Sequence, residues 1–170
     1  PEYIKANKGR TLVLFSSYDD LSFVEKRIAG DIVNSGFPVI VQQPGIPTIT
    51  LCDEFRSVKE SVLFGVDTFW YGVDFPGDTL TQVIITRIPY PSPKAPIWTA
   101  RNKLFSSDEY WDRMHYDKKI KLKQGIGRLI RSETDKGRVL ILDTRFKPDE
   151  LDFKIDTEIK NIDTFFNSMN

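Results

Sequence analysis

Short, continuous runs of apolar residues recur along this chain and constrain its fold more than any other feature. They cover residues 11–15, 37–41, 61–66, 82–86 and 138–142. Strands that are buried on both faces of a parallel sheet have this uninterrupted pattern, whereas strands with one solvent face alternate between apolar and polar residues. Most intervals between the runs are long enough for a helix. The sequence therefore predicts a three-layer α/β domain, in which helices flank a mostly parallel sheet.

The intervals contain recognisable helix patterns. In residues 18–34, apolar side chains recur at helical spacing, at Leu21, Val24, Ile28 and Ile32. Gly36 is the expected stop of this helix. Weaker patterns predict helices over residues 50–59, 95–105, 115–131 and 156–166. No internal repeat or long linker divides the chain, so we expect residues 1–170 to form one domain.

Composition excludes several classes of protein. Twenty-four basic residues balance 24 acidic ones and 40% of residues are hydrophobic, which argues against a disordered chain or a wholly basic nucleic-acid coat protein. A single cysteine, Cys52, and a single histidine, His115, exclude an internal disulfide and a Cys/His zinc site. No apolar run approaches the roughly 20 residues that span a bilayer. We expect a cytoplasmic protein without a membrane partner and, because the chain begins with Pro1, a piece of a longer polypeptide.

Charge is unevenly distributed in the last third of the chain. Residues 113–131 contain seven Lys or Arg and one acid, whereas residues 149–170 contain six acids and two lysines. The basic stretch ends in Gln-Gly-Ile-Gly-Arg-Leu-Ile-Arg, residues 124–131. On a helix, Gln124, Arg128 and Arg131 would share one face, opposite three apolar residues. Two guanidinium groups beside a glutamine suit an anion with several oxygens, such as a nucleotide phosphate.

The two glycines of this stretch favour an anion-binding site over a solvated basic helix face. Each glycine costs a helix about 1 kcal/mol relative to alanine, and a solvated basic face gives no reason for that cost. Gly127 lies beside the polar face, where a missing side chain would let a ligand or a facing domain approach. A dinucleotide-binding loop is rejected, because Ile130 occupies the position of its third glycine and no strand directly precedes the stretch.

A second candidate is Phe-Trp-Tyr-Gly-Val-Asp-Phe-Pro-Gly, residues 69–77, which follows the third predicted strand. Open α/β sheets bind ligands at the carboxyl ends of their strands. Asp67 and Asp74 are therefore placed to act on a ligand, a water molecule or a metal ion. The alternative interpretation is a rigid aromatic turn stabilised by proline and glycine.

Together these segments resemble motifs IV, V and VI of DinG/XPD-type superfamily 2 DNA helicases. The resemblance includes Val-Leu-Phe-Ser-Ser-Tyr at 13–18, the segment at 69–77, and Gln-Gly-Ile-Gly-Arg-Leu-Ile-Arg-Ser-Glu-Thr-Asp-Lys-Gly at 124–137. Ile-Pro-Tyr at 88–90 and Leu-Asp-Thr-Arg at 142–145 also match. The order and spacing of the motifs agree as well. The match to motif VI over fourteen residues is highly specific, whereas motif IV alone would be weak.

The resemblance implies a fold and a set of roles. The fold would be the second RecA-like motor lobe, which closes on a first lobe with ATP between them. Arg131 would be the arginine finger on the γ-phosphate, Arg128 would assist it, and Gln124 would order the site. Gly72 and Asp74 would couple the nucleotide state to the DNA path. Ser16 and Ser17 would contact the backbone of single-stranded DNA.

Parts of the family pattern are missing here. Many members have glutamate where this chain has Tyr71, so the coupling through motif V is expected to differ. Neither the phosphate-binding G-x-x-x-x-G-K-[ST] loop nor a D-E-x-H motif occurs, so the groups that bind ATP and Mg²⁺ are expected on the first lobe. The cysteines of the iron–sulfur cluster that some members carry are absent too, although in the family they belong to the first lobe. We expect no ATP hydrolysis by this chain alone.

Other functions remain open at this point. Some DinG relatives carry an exonuclease domain, so the complete protein could be chiefly a nuclease. A free-standing adaptor that binds nucleic acid without motor activity is a third possibility. Cys52 and His115 could form a nucleophile and base, but a buried thiol and a surface imidazole are the favoured interpretation. Residues 110, 111 and 116 are aromatic and could stack on bases, although we assign most of these rings to packing.

Overall fold

A parallel sheet forms the centre of the computed structural model, which describes residues 1–71, 73–75, 77–129 and 137–147. Within these residues the sheet has five strands in the order β2-β3-β1-β4-β5, all parallel. The strands are β1 (Thr11–Leu14), β2 (Val39–Val41), β3 (Val62–Gly65), β4 (Gln82–Ile85) and β5 (Arg138–Ile141). Each lies inside a run predicted from the sequence. The three-layer α/β prediction is confirmed.

Continuous apolar runs form these strands because both faces of the sheet are covered. Along β1, Leu12 and Leu14 pack into the cluster on one face, whereas Val13 and Phe15 pack into the cluster on the other. Every residue of β1, β3 and β4 is buried, whereas the edge strands β2 and β5 are partly exposed. The strands therefore show no alternation between apolar and polar residues.

Five α-helices flank or extend this sheet within the described residues. They are α1 (Glu2–Ala6), α2 (Tyr18–Asn34), α3 (Thr48–Ser57), α4 (Pro96–Leu104) and α5 (Ser107–Ile126). Side chains of α1 and α2 pack on one face, and side chains of α3 and α5 pack on the other. The α4 helix packs against α5 through Trp98, Tyr110 and Met114. None of the helices in the described residues is long and apolar enough to cross a bilayer.

Helix ends follow local sequence signals. The α2 helix begins where the Ser17 hydroxyl accepts a hydrogen bond from the Asp20 amide at 3.1 Å. Just past its end lies Gly36 with φ at +93°, a left-handed conformation that favours glycine, as predicted for the stop. Ser106 and Glu109 form a capping box at the start of α5.

The prediction of a helix over residues 115–131 was wrong at both ends. The α5 helix begins at Ser107, because the capping box lies nine residues before the predicted start, and it ends at Ile126. Gly127 is its C-terminal cap, and residues 127–129 form a turn. Gln124 is therefore helical, whereas Arg128 lies beyond the helix. The predicted helix at 156–166 lies outside the described residues.

Candidate functional site

The parallel strands end level with one another, which places the candidate residues along one edge of the sheet. Leu14 of β1 is in register with Gly65 of β3 and with Ile85 of β4. The next residues of the chain therefore emerge together at the carboxyl edge, where open α/β sheets bind ligands. Ser16 and Ser17 leave the central strand, β1, at this edge.

The two serines differ in their hydrogen bonding. The oxygen of Ser17 caps α2, but its O–H group remains able to donate. The hydroxyl oxygen of Ser16 is buried and has no hydrogen-bond partner in the described part of the chain. A buried hydroxyl without a partner is uncommon in a folded protein. Ser16 thus supplies an unused polar group at the end of β1.

The motif V segment, residues 69–77, is largely built into the core. Phe69 and Trp70 are fully buried, and the indole Nε1 of Trp70 donates to the backbone oxygen of Phe15 at 2.9 Å. Phe75 packs edge-on against Phe55 with ring centroids 4.9 Å apart. For these rings, the aromatic turn considered from the sequence is the correct description. The packing fixes the backbone from which Tyr71 and Asp74 project.

Asp74 is exposed, and its backbone is braced by an arginine that sequence reasoning missed. The Nη2 atom of Arg56 donates to the Asp74 backbone oxygen at 2.6 Å, and Nη1 pairs with Asp53 at 2.7 Å. No sequence signal joined Arg56 to residue 74, because eighteen positions separate them. Gly72 lies outside the described residues.

Gly125 allows α5 to approach this segment closely. A Cβ atom at this position would lie 2.9 Å from two ring carbons of Trp70 and 3.1 Å from the Leu14 side chain. Leu122 and Ile126 are buried beside it, as the helical pattern predicted. The glycine therefore serves helix-to-core packing. Gly127, by contrast, is exposed at the end of the helix.

Arg128 joins motif V to the motif VI segment, residues 124–137. Its Nη1 atom donates to the backbone oxygen of Val73 at 2.7 Å, and its Nε donates to that of Gln124 at 3.0 Å. Partial burial lowers the pKa of Arg128 by desolvation, yet an arginine remains charged in proteins. The two bonds use two of its five N–H donors. The other three N–H donors of the guanidinium group are available to a ligand or to the surrounding chain.

Gln124 carries a second unused polar group. Its Oε1 atom is buried and has no hydrogen-bond partner in the described structure. The structure thus brings Gln124, Arg128 and the backbone at Val73 together, although the sequence placed motifs V and VI fifty residues apart. Arg131 lies outside the described residues.

In the Asp-Thr-Arg segment after β5, residues 143–145, an ion pair and a backbone hydrogen bond form that were not predicted from the sequence. Asp143 pairs with Arg145, with Oδ1 2.9 Å from Nε and Oδ2 2.7 Å from Nη2. The same carboxylate accepts a hydrogen bond from the Ile88 amide at 3.0 Å. The hydrogen bonds from Arg145 hold the pKa of Asp143 well below its usual range. This carboxylate ties the ends of β4 and β5 together.

Cys52 and His115 do not form a catalytic pair. Cys52 is buried in the core, where desolvation raises the pKa of its thiol, and His115 is exposed on α5. This confirms the favoured interpretation. Of the three rings suggested for base stacking, Tyr110 is buried, whereas Trp111 and Tyr116 are exposed, so the assignment of most of these rings to packing was wrong.

Comparison with known proteins agrees with this geometry. Residues 1–161 match the family described as Helicase C-terminal domain. The chain is 36% identical over 151 residues to the 3'-5' exonuclease DinG of Bacillus subtilis, covering 84% of this chain and 16% of that protein. It is also 36% identical over 151 residues to the ATP-dependent DNA helicase DinG of Photobacterium profundum, covering 85% of this chain and 22% of that protein.

The fold matches solved structures of XPD helicase. One superposes with a TM-score of 0.64 at 26% identity, over 85% of this chain and 27% of the other. The chain spans about a fifth of the length of the curated relatives named above. With its RecA-like sheet and the joined motifs V and VI, the chain belongs to the helicase C-terminal domain family of DinG/XPD-type superfamily 2 helicases.

Proposed function

We propose that residues 1–170 are the second motor lobe of an ATP-dependent DNA helicase. The observation that carries the proposal is the contact of Arg128 with the Val73 backbone at 2.7 Å, beside the Oε1 atom of Gln124, which has no hydrogen-bond partner among the described residues. This contact joins the two segments that a motor lobe must move together when nucleotide binds. Relatives named as ATP-dependent DNA helicases support the same activity.

ATP with Mg²⁺ would be held mainly by a first RecA-like lobe that carries the Walker motifs. Bound there, it supplies a γ-phosphoryl group whose transfer to water develops negative charge. Arg131 would place its guanidinium against that charge from this lobe. Arg128, fixed by the backbone oxygens at 73 and 124, would hold the end of α5 in position. Preorganised cations of this kind stabilise a transition state without rearranging.

The fit of a polar ligand at this place is supported by the amide of Gln124. A buried Oε1 without a partner costs about 1–3 kcal/mol in a folded protein. A water molecule would satisfy it, as would a hydroxyl group of a bound nucleotide once the Gln124 side chain turns outward. Gly127, exposed directly after α5, leaves room for the facing lobe to approach.

Motif V would couple the nucleotide state to the DNA path. Asp74 is exposed, while its backbone is braced by Arg56 and that of the preceding residue by Arg128. A change at Arg128 would therefore move the loop that contains Gly72 and Asp74. The same loop continues from the buried Trp70, which is bonded to the end of β1.

Single-stranded DNA would pass along the carboxyl edge of the sheet. Ser16 and Ser17 would donate hydrogen bonds to phosphate oxygens, which positions a strand without reading its sequence. The Ser17 hydroxyl can donate while its oxygen caps α2, whereas the buried Ser16 hydroxyl, which has no partner in the described residues, must first become exposed to make this contact.

The test is ATP turnover by the full-length gene product with arginine variants. We expect Arg131→Ala to lower the turnover by about 10³- to 10⁵-fold, the worth of an arginine finger, and to leave DNA binding largely intact. Arg131→Lys should fail nearly as badly, because an ammonium cannot reproduce the planar fork. Arg113→Ala, an exposed arginine earlier on α5, is the matched control. ATP turnover retained by Arg131→Ala would refute the assignment of Arg131 as the arginine finger.

A nuclease is the second candidate, because one relative of 36% identity is named a 3'-5' exonuclease. In that case this lobe would serve a protein whose nuclease domain lies upstream. Degradation of a 5'-labelled single strand by the full-length gene product distinguishes the two. A nuclease would shorten the strand in the absence of ATP, whereas a helicase would leave its length unchanged.

A further inference from the structure

A cleft of about 320 Å³ opens beside the proposed DNA track and has no role in the functions described so far. Its wall combines aromatic and apolar side chains with two charged ones. They are Tyr71, Pro89, Pro91, Trp98, Asp117, Ile120 and Lys121. Small-molecule sites have volumes of about 300–1,000 Å³, so this cleft suits a single small ring system.

The cleft lies at the ligand-binding edge of the sheet. Tyr71 follows a short 3-10 helix (Asp67–Trp70) after β3, and Pro89 and Pro91 follow β4. The strand between β3 and β4 is β1, which ends at the two serines proposed to contact the DNA backbone. A strand held there by its phosphates would have bases within reach of the cleft.

The charges in the wall are paired with opposite charges. Lys121 lies 3.5 Å from Asp67, and Asp117 lies 3.2 Å from Arg101. The cleft is therefore close to neutral and gives a phosphate no excess of positive charge. A nucleobase is a neutral ring with donors and acceptors on its edge. The ammonium and carboxylate groups retain hydrogen-bonding capacity for such an edge.

Tyr71 supplies the exposed aromatic surface of the cleft. Its side chain is 47% exposed, and the Lys121 ammonium lies 5.6 Å from its ring centroid. Burial and the carboxylates of Asp67 and Asp117 raise the pKa of its phenol, so the ring stays neutral at physiological pH. An exposed aromatic ring at a DNA-binding edge is the usual platform for a stacked base.

We propose that this cleft receives one base of the tracked single strand, stacked on Tyr71 and met at its polar edge by Asp117 and Lys121. The inference rests on the proposed function, because it requires DNA on the carboxyl edge. It gives Tyr71 a role of its own, at the position where many members of the family have a glutamate.

The experiment measures binding of the full-length gene product, without nucleotide, to fluorescein-labelled oligothymidylate by anisotropy. We expect Tyr71→Ala to weaken binding by about 5- to 100-fold, the usual effect of removing one stacking ring. Tyr71→Phe keeps the ring and should bind as the wild type does. Phe23→Ala, an exposed ring on α2 that does not line this cleft, is the control and should bind equally well. Circular dichroism confirms that each variant is folded.

An abasic oligonucleotide of the same length tests whether the ring contacts a base. Wild type and Tyr71→Ala should bind it alike, because no base is left to stack. Equal binding of oligothymidylate by both proteins, or an equal loss on both oligonucleotides, would overturn the inference. Free thymidine that binds the wild type as tightly as the strand does would also overturn it, by assigning the cleft to a nucleoside. Failure of the proposed function would give a different result, because the wild type itself would then not bind single-stranded DNA.

Discussion

Replacement of Gly125 by alanine adds one methyl group between α5 and the motif V segment. Its Cβ would lie 2.9 Å from two carbons of the Trp70 ring and 3.1 Å from the Leu14 side chain. The ring cannot shift freely, because its Nε1 is bonded to the Phe15 backbone oxygen at 2.9 Å. Helix α5 must therefore move away, or a buried hydrogen bond must lengthen.

Two opposing effects set the magnitude. Overpacking a dense core costs about 1–3 kcal/mol. Alanine stabilises a helix interior by about 1 kcal/mol relative to glycine. Since the anchored indole limits relaxation, we expect the free energy of unfolding to fall by about 1–2 kcal/mol. With a slope of about 2 kcal/mol per molar urea, the midpoint should fall by about 0.5–1 M.

Urea denaturation followed by tryptophan fluorescence measures this change. The matched control is Gly30→Ala in α2, where a new Cβ would meet nothing within 4 Å. There only the helix propensity acts, so the variant should be more stable by about 0.5–1 kcal/mol. The same substitution thus has opposite signs in two helices. A Gly125→Ala protein as stable as the wild type, or more stable, would refute the packing argument.

Three further substitutions test other parts of the account. Ser17→Ala should lower the stability by about 1 kcal/mol by removing the cap of α2. Ser16→Ala should instead raise the stability, by up to about 1 kcal/mol, because it removes a buried hydroxyl that has no partner in the described residues; both are measured in urea. The depressed pKa of Asp143 stabilises the fold above about pH 4, the usual range of that group, and this contribution is lost as the pH falls below it. Because the partner, Arg145, is exposed, we expect Asp143→Asn to lower the free energy of unfolding by only about 1 kcal/mol at neutral pH. The variant should also lose less stability than the wild type between neutral pH and about pH 3. An equal loss of stability in both proteins would contradict this. Arg128→Lys should lower ATP turnover at least about tenfold, since a single ammonium nitrogen cannot take the places of both Nε and Nη1 opposite the backbone oxygens of Gln124 and Val73.

The sheet could be predicted from the sequence because burial on both faces leaves a clear pattern. Each predicted strand was found, with its ends shifted by no more than two residues. The α2 helix was found at its predicted bounds, residues 18–34, because its apolar spacing, its cap and Gly36 all agree. The start of α5 was misplaced because the capping box at Ser106 and Glu109, which marks it, was overlooked.

The candidate site was predictable in its residue types but not in its contacts. Periodicity placed Arg128 on a helix, whereas the structure places it beyond the cap, bonded to a residue 55 positions away. Ligand approach was predicted for Gly127 alone, and the reason for Gly125 is the ring of Trp70, which is distant along the chain. Such long-range packing has no local sequence signal.

ATP hydrolysis by the full-length gene product, with and without single-stranded DNA, tests the central claim most directly. A motor lobe that links DNA at the sheet edge to nucleotide at the end of α5 predicts turnover that rises when oligothymidylate is added. ATP turnover that is absent, or that is the same with and without DNA, would contradict the proposal that this lobe belongs to an ATP-driven motor stimulated by DNA.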